Sequence, residues 1–167
     1  MSGLRGLDRF NRLSDEEAAG ELLAVCHSRR WAKEVAAGRP YPDVAALQRA
    51  ADEVWSGVSP EDWREAFEAH PRIGEPPPHA SADWSRQEQA GVGDADQDTQ
   101  AAIARGNTAY EARFGHVFLI SAAGRDASEI LAALTERLGN DPATELRVAA
   151  EEHRRITRLR LEKLMAE

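Results

Sequence analysis

The chain has a single cysteine, Cys26, among its 167 residues. No internal disulfide can form, so a reducing compartment is the expected setting. Cys26 stands in no motif and reads as a small buried hydrophobe rather than a nucleophile. Positive charge is also short: 21 Lys and Arg face 29 Asp and Glu, for a net charge of −8. That balance speaks against nucleic acid, whose binding is driven by cations, but not against a small anion held by one inward arginine. No apolar run is long enough to cross a bilayer, and no charged-then-apolar leader opens the chain. The final Leu164-Met165-Ala166-Glu167 is not a peroxisomal address, which leaves the cytoplasm as the expected location, with no membrane as partner. His27, His79 and His116 show no metal-ligand spacing, and no phosphate loop or dinucleotide fingerprint is present. Any site is expected to work without cofactor or metal.

Hydrophobic residues make up 42% of the chain and charged residues 30%, the balance of a folded domain with its own core. No repeat or composition break divides residues 1–167, so a single domain is expected. Its patterning is helical nearly throughout. Ser14-Asp15-Glu16-Glu17 reads as a capping box opening a helix with Ala18, Leu22 and Val25 on one face. Asp43 to Trp55 is a second amphipathic stretch, and Ser59-Pro60 launches a third with Trp63, Ala66 and Phe67 in one stripe. Residues 71–83 are rich in Pro, Gly and small side chains, which excludes regular helix and predicts a long ordered loop after His70. Further helices are predicted from about Asp94 to Phe114, stopping at Gly115, from Ser128 to Leu138, and from Asp141-Pro142 to about Met165. Val117-Phe118-Leu119-Ile120 is a short β-like run, too little for a sheet. The fold class is all-α, with about seven or eight helices.

Three residues on these elements invite chemistry. His70 continues the stripe of Trp63 and Phe67 and stands before Pro71, at or beyond a helix end, where the ring either bonds free carbonyl groups or serves as an acid or base. Glu88 closes Ser85-Arg86-Gln87-Glu88, a capping box in its ordinary reading and a carboxylate at a helix start in the functional one. Arg160 is the sharpest case. At about 100° per residue, Leu146, Ala149, His153, Ile156, Arg160 and Leu164 share one face of the last helix, whereas Arg147, Arg154 and Arg158 lie opposite and Arg155 is off the stripe. A guanidinium directed into a core requires an anion or several acceptors, from a structural carboxylate or from a ligand. His153 on the same face fits a core histidine or a supporting role. Asn107, in the stripe of Ile103, Tyr110 and Phe114, fits a helix-to-helix hydrogen bond.

The segments His70-Pro71-Arg72-Ile73-Gly74-Glu75 and Ser85-Arg86-Gln87-Glu88-Gln89-Ala90-Gly91 resemble the signature of the OHCU (2-oxo-4-hydroxy-4-carboxy-5-ureidoimidazoline) decarboxylase family, an enzyme family of urate breakdown. The resemblance extends through Phe10-Asn11, the region from Cys26 to Trp31, Asn107 to Ile120, Gly124-Arg125, and Ile156 to Leu164, nearly the whole chain. It implies an all-α fold, a homodimer, and cofactor-free decarboxylation to (S)-allantoin. It also implies His70 and Glu88 as catalytic residues, and substrate contacts from Ser85, Gln89, Arg160, Pro71, Phe118 and Ile120. Backbone groups of Gly115 to Ile120 are implied to lie beside the ligand. The alternative from another class is a helical binding or regulatory module without catalysis, which accounts for the stripes and the acidic surface but leaves an inward arginine, a stripe-ending histidine and the Ser-x-x-Glu-Gln turn as coincidence.

Overall fold

The computed structural model describes residues 2–74, 84, 87–93 and 95–166. Among them are nine helices and no strand: α1 Ser2–Arg12, α2 Asp15–Val25, α3 Arg29–Ala37, α4 Val44–Gly57, α5 Pro60–Glu68, α6 Ala90–Gly93, α7 Gln97–Phe114, α8 Ala127–Arg137 and α9 Pro142–Ala166. The all-α expectation holds. The chain divides into two compact units, one of Met1–Ala66 with Arg154–Glu167, the other Phe67–His153.

Helix boundaries follow side chains that satisfy the first free N–H groups. Ser14 and Glu17 form the expected capping box of α2, and Asp43 caps α4. Ser59 Oγ accepts from the Asp62 amide at 3.2 Å while the Asp62 carboxylate accepts from the Ser59 amide at 3.2 Å. Two helices were not foreseen. α1 buries Leu7 and Phe10 on a short apolar pattern, and α3 follows the N-cap Ser28, whose hydroxyl accepts from the Trp31 amide. The helix expected from Asp94 begins instead at Gln97. Asp96 is the N-cap, because its carboxylate accepts from the Thr99 amide. Residues 90–93 form the separate turn α6, and Asp94 lies outside the described residues. At the far end of α7, Gly115 stops the helix as expected, at a φ of 79° that suits glycine, with its N–H donating to the Glu111 carbonyl. Val117–Ile120 is neither helix nor strand. Of the loop expected over residues 71–83, residues 71–74 are non-helical and 75–83 lie outside the described residues.

In the first unit α2 packs on α3, α3 on α4, and α1 on α4. Trp31 is fully buried and donates its indole N–H to the Ala51 carbonyl at 3.1 Å, joining α3 to α4. The Gln48 side chain donates to the Arg158 carbonyl at 2.8 Å, which ties α4 to the end of α9. Cys26 is buried, and burial pushes its thiol from 9.0 up to about 12, so it is no thiolate at neutral pH. The expectation of a small buried hydrophobe holds.

In the second unit α7 packs on α8 over a core of Ile73, Val92, Ile103, Tyr110, Phe118, Ile120, Ala122, Ala127, Ile130 and Leu134. Gly91 lets α6 approach the turn before α8: a Cβ there would stand 2.5 Å from the Arg125 carbonyl oxygen, a backbone atom that cannot swing aside. Gly20, in the middle of α2, has open space around it. Gly91→Ala is therefore expected to cost about 1–3 kcal/mol through overpacking. Gly20→Ala should add about 0.5–1 kcal/mol by helix propensity alone. Urea midpoints of the two variants check this; equal effects would show that the contact at Gly91 is not tight.

Candidate active site

His70 lies two residues past the end of α5, where its backbone N–H still donates to the Phe67 carbonyl at 3.0 Å. The ring is half-buried. It meets the His153 ring edge to face, with centroids 4.7 Å apart and planes at 84°. His153 is fully buried and also packs on Phe67 at 5.8 Å, while Phe67 packs on His116 at 5.2 Å. The apolar stripe that led to His70 therefore runs into a nest of aromatic rings in the second unit. That placement follows from periodicity. The contact with His153 did not, because helical spacing says which face a residue takes and not what meets it.

The turn after His70 is tied down from two sides. The Gly74 N–H donates to the Gln89 side-chain oxygen at 2.8 Å, and Asn107 donates to the Ile73 carbonyl at 3.1 Å. Asn107 was expected to tie helix to helix; it ties α7 to this turn instead. The turn offers an unpaired backbone carbonyl, whereas the carbonyl groups of a neighbouring helix are already used within it. Its own carbonyl oxygen, buried in a residue only 4% exposed, has no hydrogen-bond partner among the described residues. Glu88 is buried and helical, just before α6. Ser85, and with it the Ser85–Glu88 capping box, lies outside the described residues. Pro71 is half-buried beside His70.

Phe118 and Ile120 complete the gathering. Ile73, three residues past His70, and Val92, three past Gln89, share one buried cluster with Phe118 and Ile120. Phe118, Leu119 and Ile120 are only 2%, 3% and 4% exposed, yet none of their N–H groups has a hydrogen-bond partner among the described residues. Nearly all buried backbone donors in proteins are paired, with protein, water or ligand.

A polar network supports this strip, and sequence reasoning missed it. Glu145 is wholly buried and accepts from the Arg137 guanidinium at 2.6, 3.0 and 3.2 Å, from Asn140 at 3.1 Å, and from the Tyr110 hydroxyl through a short bond. Burial, then the bond to Glu145, hold the Tyr110 phenol protonated far above its ordinary range. Arg137 lies 4.5 Å over the Phe118 ring and donates to the Leu119 carbonyl at 2.6 Å. The signal was available: Glu145 and Glu152 fall on the same face of α9 as Ala149 and Ile156, at spacings of four and three.

Arg160 belongs to the first unit, and the helical argument for it holds. It is 3% exposed and donates to the Val25 carbonyl at the end of α2, at 3.3 Å. Arg158, on the opposite face, is exposed and reaches Asp52 at 3.4 Å. Arg147 and Arg155 are exposed as well. No group of three or more potential metal ligands occurs among the described residues, and no helix there is long and apolar enough to cross a membrane.

The family model for OHCU decarboxylase matches residues 11–162. The "Uric acid degradation bifunctional protein TTL" of Arabidopsis thaliana is 37% identical over 152 residues, which is 88% of this chain and 47% of that protein. The "2-oxo-4-hydroxy-4-carboxy-5-ureidoimidazoline decarboxylase" of Amia calva is 43% identical over 79 residues, 47% of this chain and 45% of its own length. The chain thus spans less than half the length of these curated relatives. Among solved structures, one described as "OHCU decarboxylase in the presence of (S)-allantoin" is 32% identical with a TM-score of 0.79, over 93% of this chain and all of that one. The match to residues 11–162 covers nearly the whole chain, including the histidine turn, the Glu88–Gln89 segment, the 117–120 strip and Arg160, and on that ground the chain belongs to the OHCU decarboxylase family.

Proposed function

We propose that this protein decarboxylates 2-oxo-4-hydroxy-4-carboxy-5-ureidoimidazoline to (S)-allantoin in urate degradation, without a cofactor, and that residues 1–167 work as one decarboxylase domain. The observation that carries the reading is the shared buried cluster of Ile73, Val92, Phe118 and Ile120. It gathers the neighbours of His70, of Glu88 and Gln89, and of three unpaired backbone donors within one compact unit. Family membership favours this reading over a binding module without catalysis.

The substrate carries its carboxylate and hydroxyl on one ring carbon, beside a carbon–nitrogen double bond. As CO₂ leaves, the electrons of the broken carbon–carbon bond move into that double bond, and a proton delivered to one face yields a single enantiomer. The protein must orient the carboxylate, stabilise the charge that spreads into the ring, and manage a proton. We assign His70 the proton work and Glu88 the polarisation of the hydroxyl or ureido nitrogen. Phe118 and Ile120 offer N–H groups to a ring oxygen, with Pro71 forming part of the wall. Gln89 is held by the bond its side-chain oxygen accepts from Gly74, which leaves its NH₂ group to the ureido arm, with Ser85 as the second contact there. Arg160 anchors the carboxylate or ring oxygens, supported by its burial and by its place in the family match. We further assign the protein to the cytoplasm as a homodimer; a monomeric mass at micromolar concentration in sedimentation would end the dimer assignment.

The direct test is to generate the unstable substrate from urate in situ and follow optical rotation: faster appearance of one allantoin enantiomer is expected. His70→Ala should lower turnover about 10²–10⁴-fold, the usual worth of a placed acid or base, with helicity unchanged by circular dichroism. Glu88→Gln keeps any capping hydrogen bond but removes the carboxylate. Parent-like kinetics in that variant would return Glu88 to a structural role.

Arginine variants separate inward from outward charge. Arg160→Leu should weaken substrate capture about tenfold or more, by loss of a charge-assisted partner. Its melting temperature should stay near the parent's, because removing a buried charge offsets the lost bond to Val25. Arg158→Leu breaks only an exposed contact and should change neither property. Equal loss of activity in both variants would sink the assignment of Arg160.

A further inference from the structure

The strip that offers unpaired donors has no regular structure, so something other than a helix or sheet ladder must fix its backbone. Residues 117–122 receive two side-chain clamps, both from within the second unit. The Arg137 guanidinium donates to the Leu119 carbonyl at 2.6 Å. The Glu152 carboxylate accepts from the Ser121 N–H at 3.1 Å, and Arg125 donates to the Ser121 carbonyl at 3.0 Å while standing 3.8 Å from Glu152.

These contacts fall on either side of Ile120. The Leu119 carbonyl and the Ile120 N–H belong to one planar trans peptide, so they point in opposite directions. A guanidinium on that carbonyl turns the Ile120 N–H away from Arg137. It also polarises the peptide, because hydrogen bonds in series strengthen one another in a low-dielectric interior. Glu152 fixes the next peptide, which carries the Ile120 carbonyl. With both peptide planes held, Ile120 cannot rotate its donor out of line.

We propose that Glu152 and Arg137 are positioning residues for the decarboxylation: they set and hold the peptide planes around Ile120 so that its N–H meets a substrate oxygen. The proposal rests on the function proposed above. It gives α9 a dual task, since Glu152 holds the strip while its neighbour His153 lies against His70. It also explains why costly carboxylates occupy core positions of that helix: Glu145 keeps Arg137 in place and Glu152 keeps Ser121 in place.

The test uses Glu152→Ala and Glu152→Gln in the full chain. Glutamine keeps an oxygen that can accept from the Ser121 N–H, and alanine does not. Glu152→Ala is expected to raise KM about tenfold, the usual effect of losing one hydrogen bond to a charged group, with kcat within about threefold of the parent. Glu152→Gln should restore KM to within about threefold. Deuterium uptake by the peptide spanning residues 117–122 should rise in the alanine variant and return toward parent in the glutamine one. A folded Glu152→Ala protein with parent KM overturns the proposal, and so does a glutamine variant as impaired as the alanine one. Should Glu152→Ala fail to fold, Arg125→Met, which removes the bond to the Ser121 carbonyl, carries the same expectation for KM and uptake, and parent values there overturn it. Failure of the parent protein to accelerate allantoin formation overturns the function itself, an outcome distinct from an active parent with an unaffected Glu152 variant.

Discussion

A carboxylate with no exposure to water organises the second unit. Glu145 is taken from solvent at a cost of several kcal/mol, and the protein meets it with Arg137, Asn140 and Tyr110. Each partner belongs to a different part of the fold: Tyr110 to α7, Arg137 to the last turn of α8, Asn140 to the connection into α9. The network therefore fixes three elements at one point. Such a network does not have to be the most stabilising solution, because apolar replacements of similar volume are often as stable. What an apolar core lacks is a hydrogen bond to spare. Arg137 has one, and it goes to Leu119.

The strip at Phe118 to Ile120 illustrates how irregular backbone becomes useful. A helix or sheet consumes its own N–H groups. A buried segment that is neither must have them met by side chains, water or ligand. Here the carbonyl of Leu119 and the N–H of Ser121 are met by protein, and the donors of residues 118–120 have no partner among the described residues. Apolar side chains from the histidine turn and from α6 pack around the same segment. Apolar packing and backbone donors thus come from one stretch of chain, and in the proposed function that combination strengthens a hydrogen bond to substrate relative to water.

The last helix carries much of this chemistry in its register. Glu145, Ala149, Glu152 and Ile156 follow one line, and His153 and Arg160 lie beside it. Four of its buried polar residues reach named partners: Glu145 meets Arg137, Glu152 meets Ser121, His153 meets His70, and Arg160 meets Val25. Helical spacing carries this economy, since residues three and four apart fall on one face and a single straight element can address several targets along its length.

The sequence by itself determined the helical class, most helix starts, the stop at Gly115 and the inward direction of Arg160. These are local matters, decided by a cap side chain, a glycine at positive φ, or the 3.6-residue period, and each is legible within about ten residues. The same reading also picked out the segments that mark the family. It missed α1 and α3, whose apolar patterns are short, and set the start of α7 near Asp94, ahead of the Asp96 cap. Only the tertiary structure decided that His70 meets His153, that Asn107 holds the histidine turn rather than another helix, and that Glu145 and Glu152 are buried partners rather than surface charges. Those outcomes depend on contacts between residues far apart in the chain, such as Asn107 with Ile73 or Glu152 with Ser121. Periodicity assigns a face to each residue, but the residue that meets that face is chosen by packing.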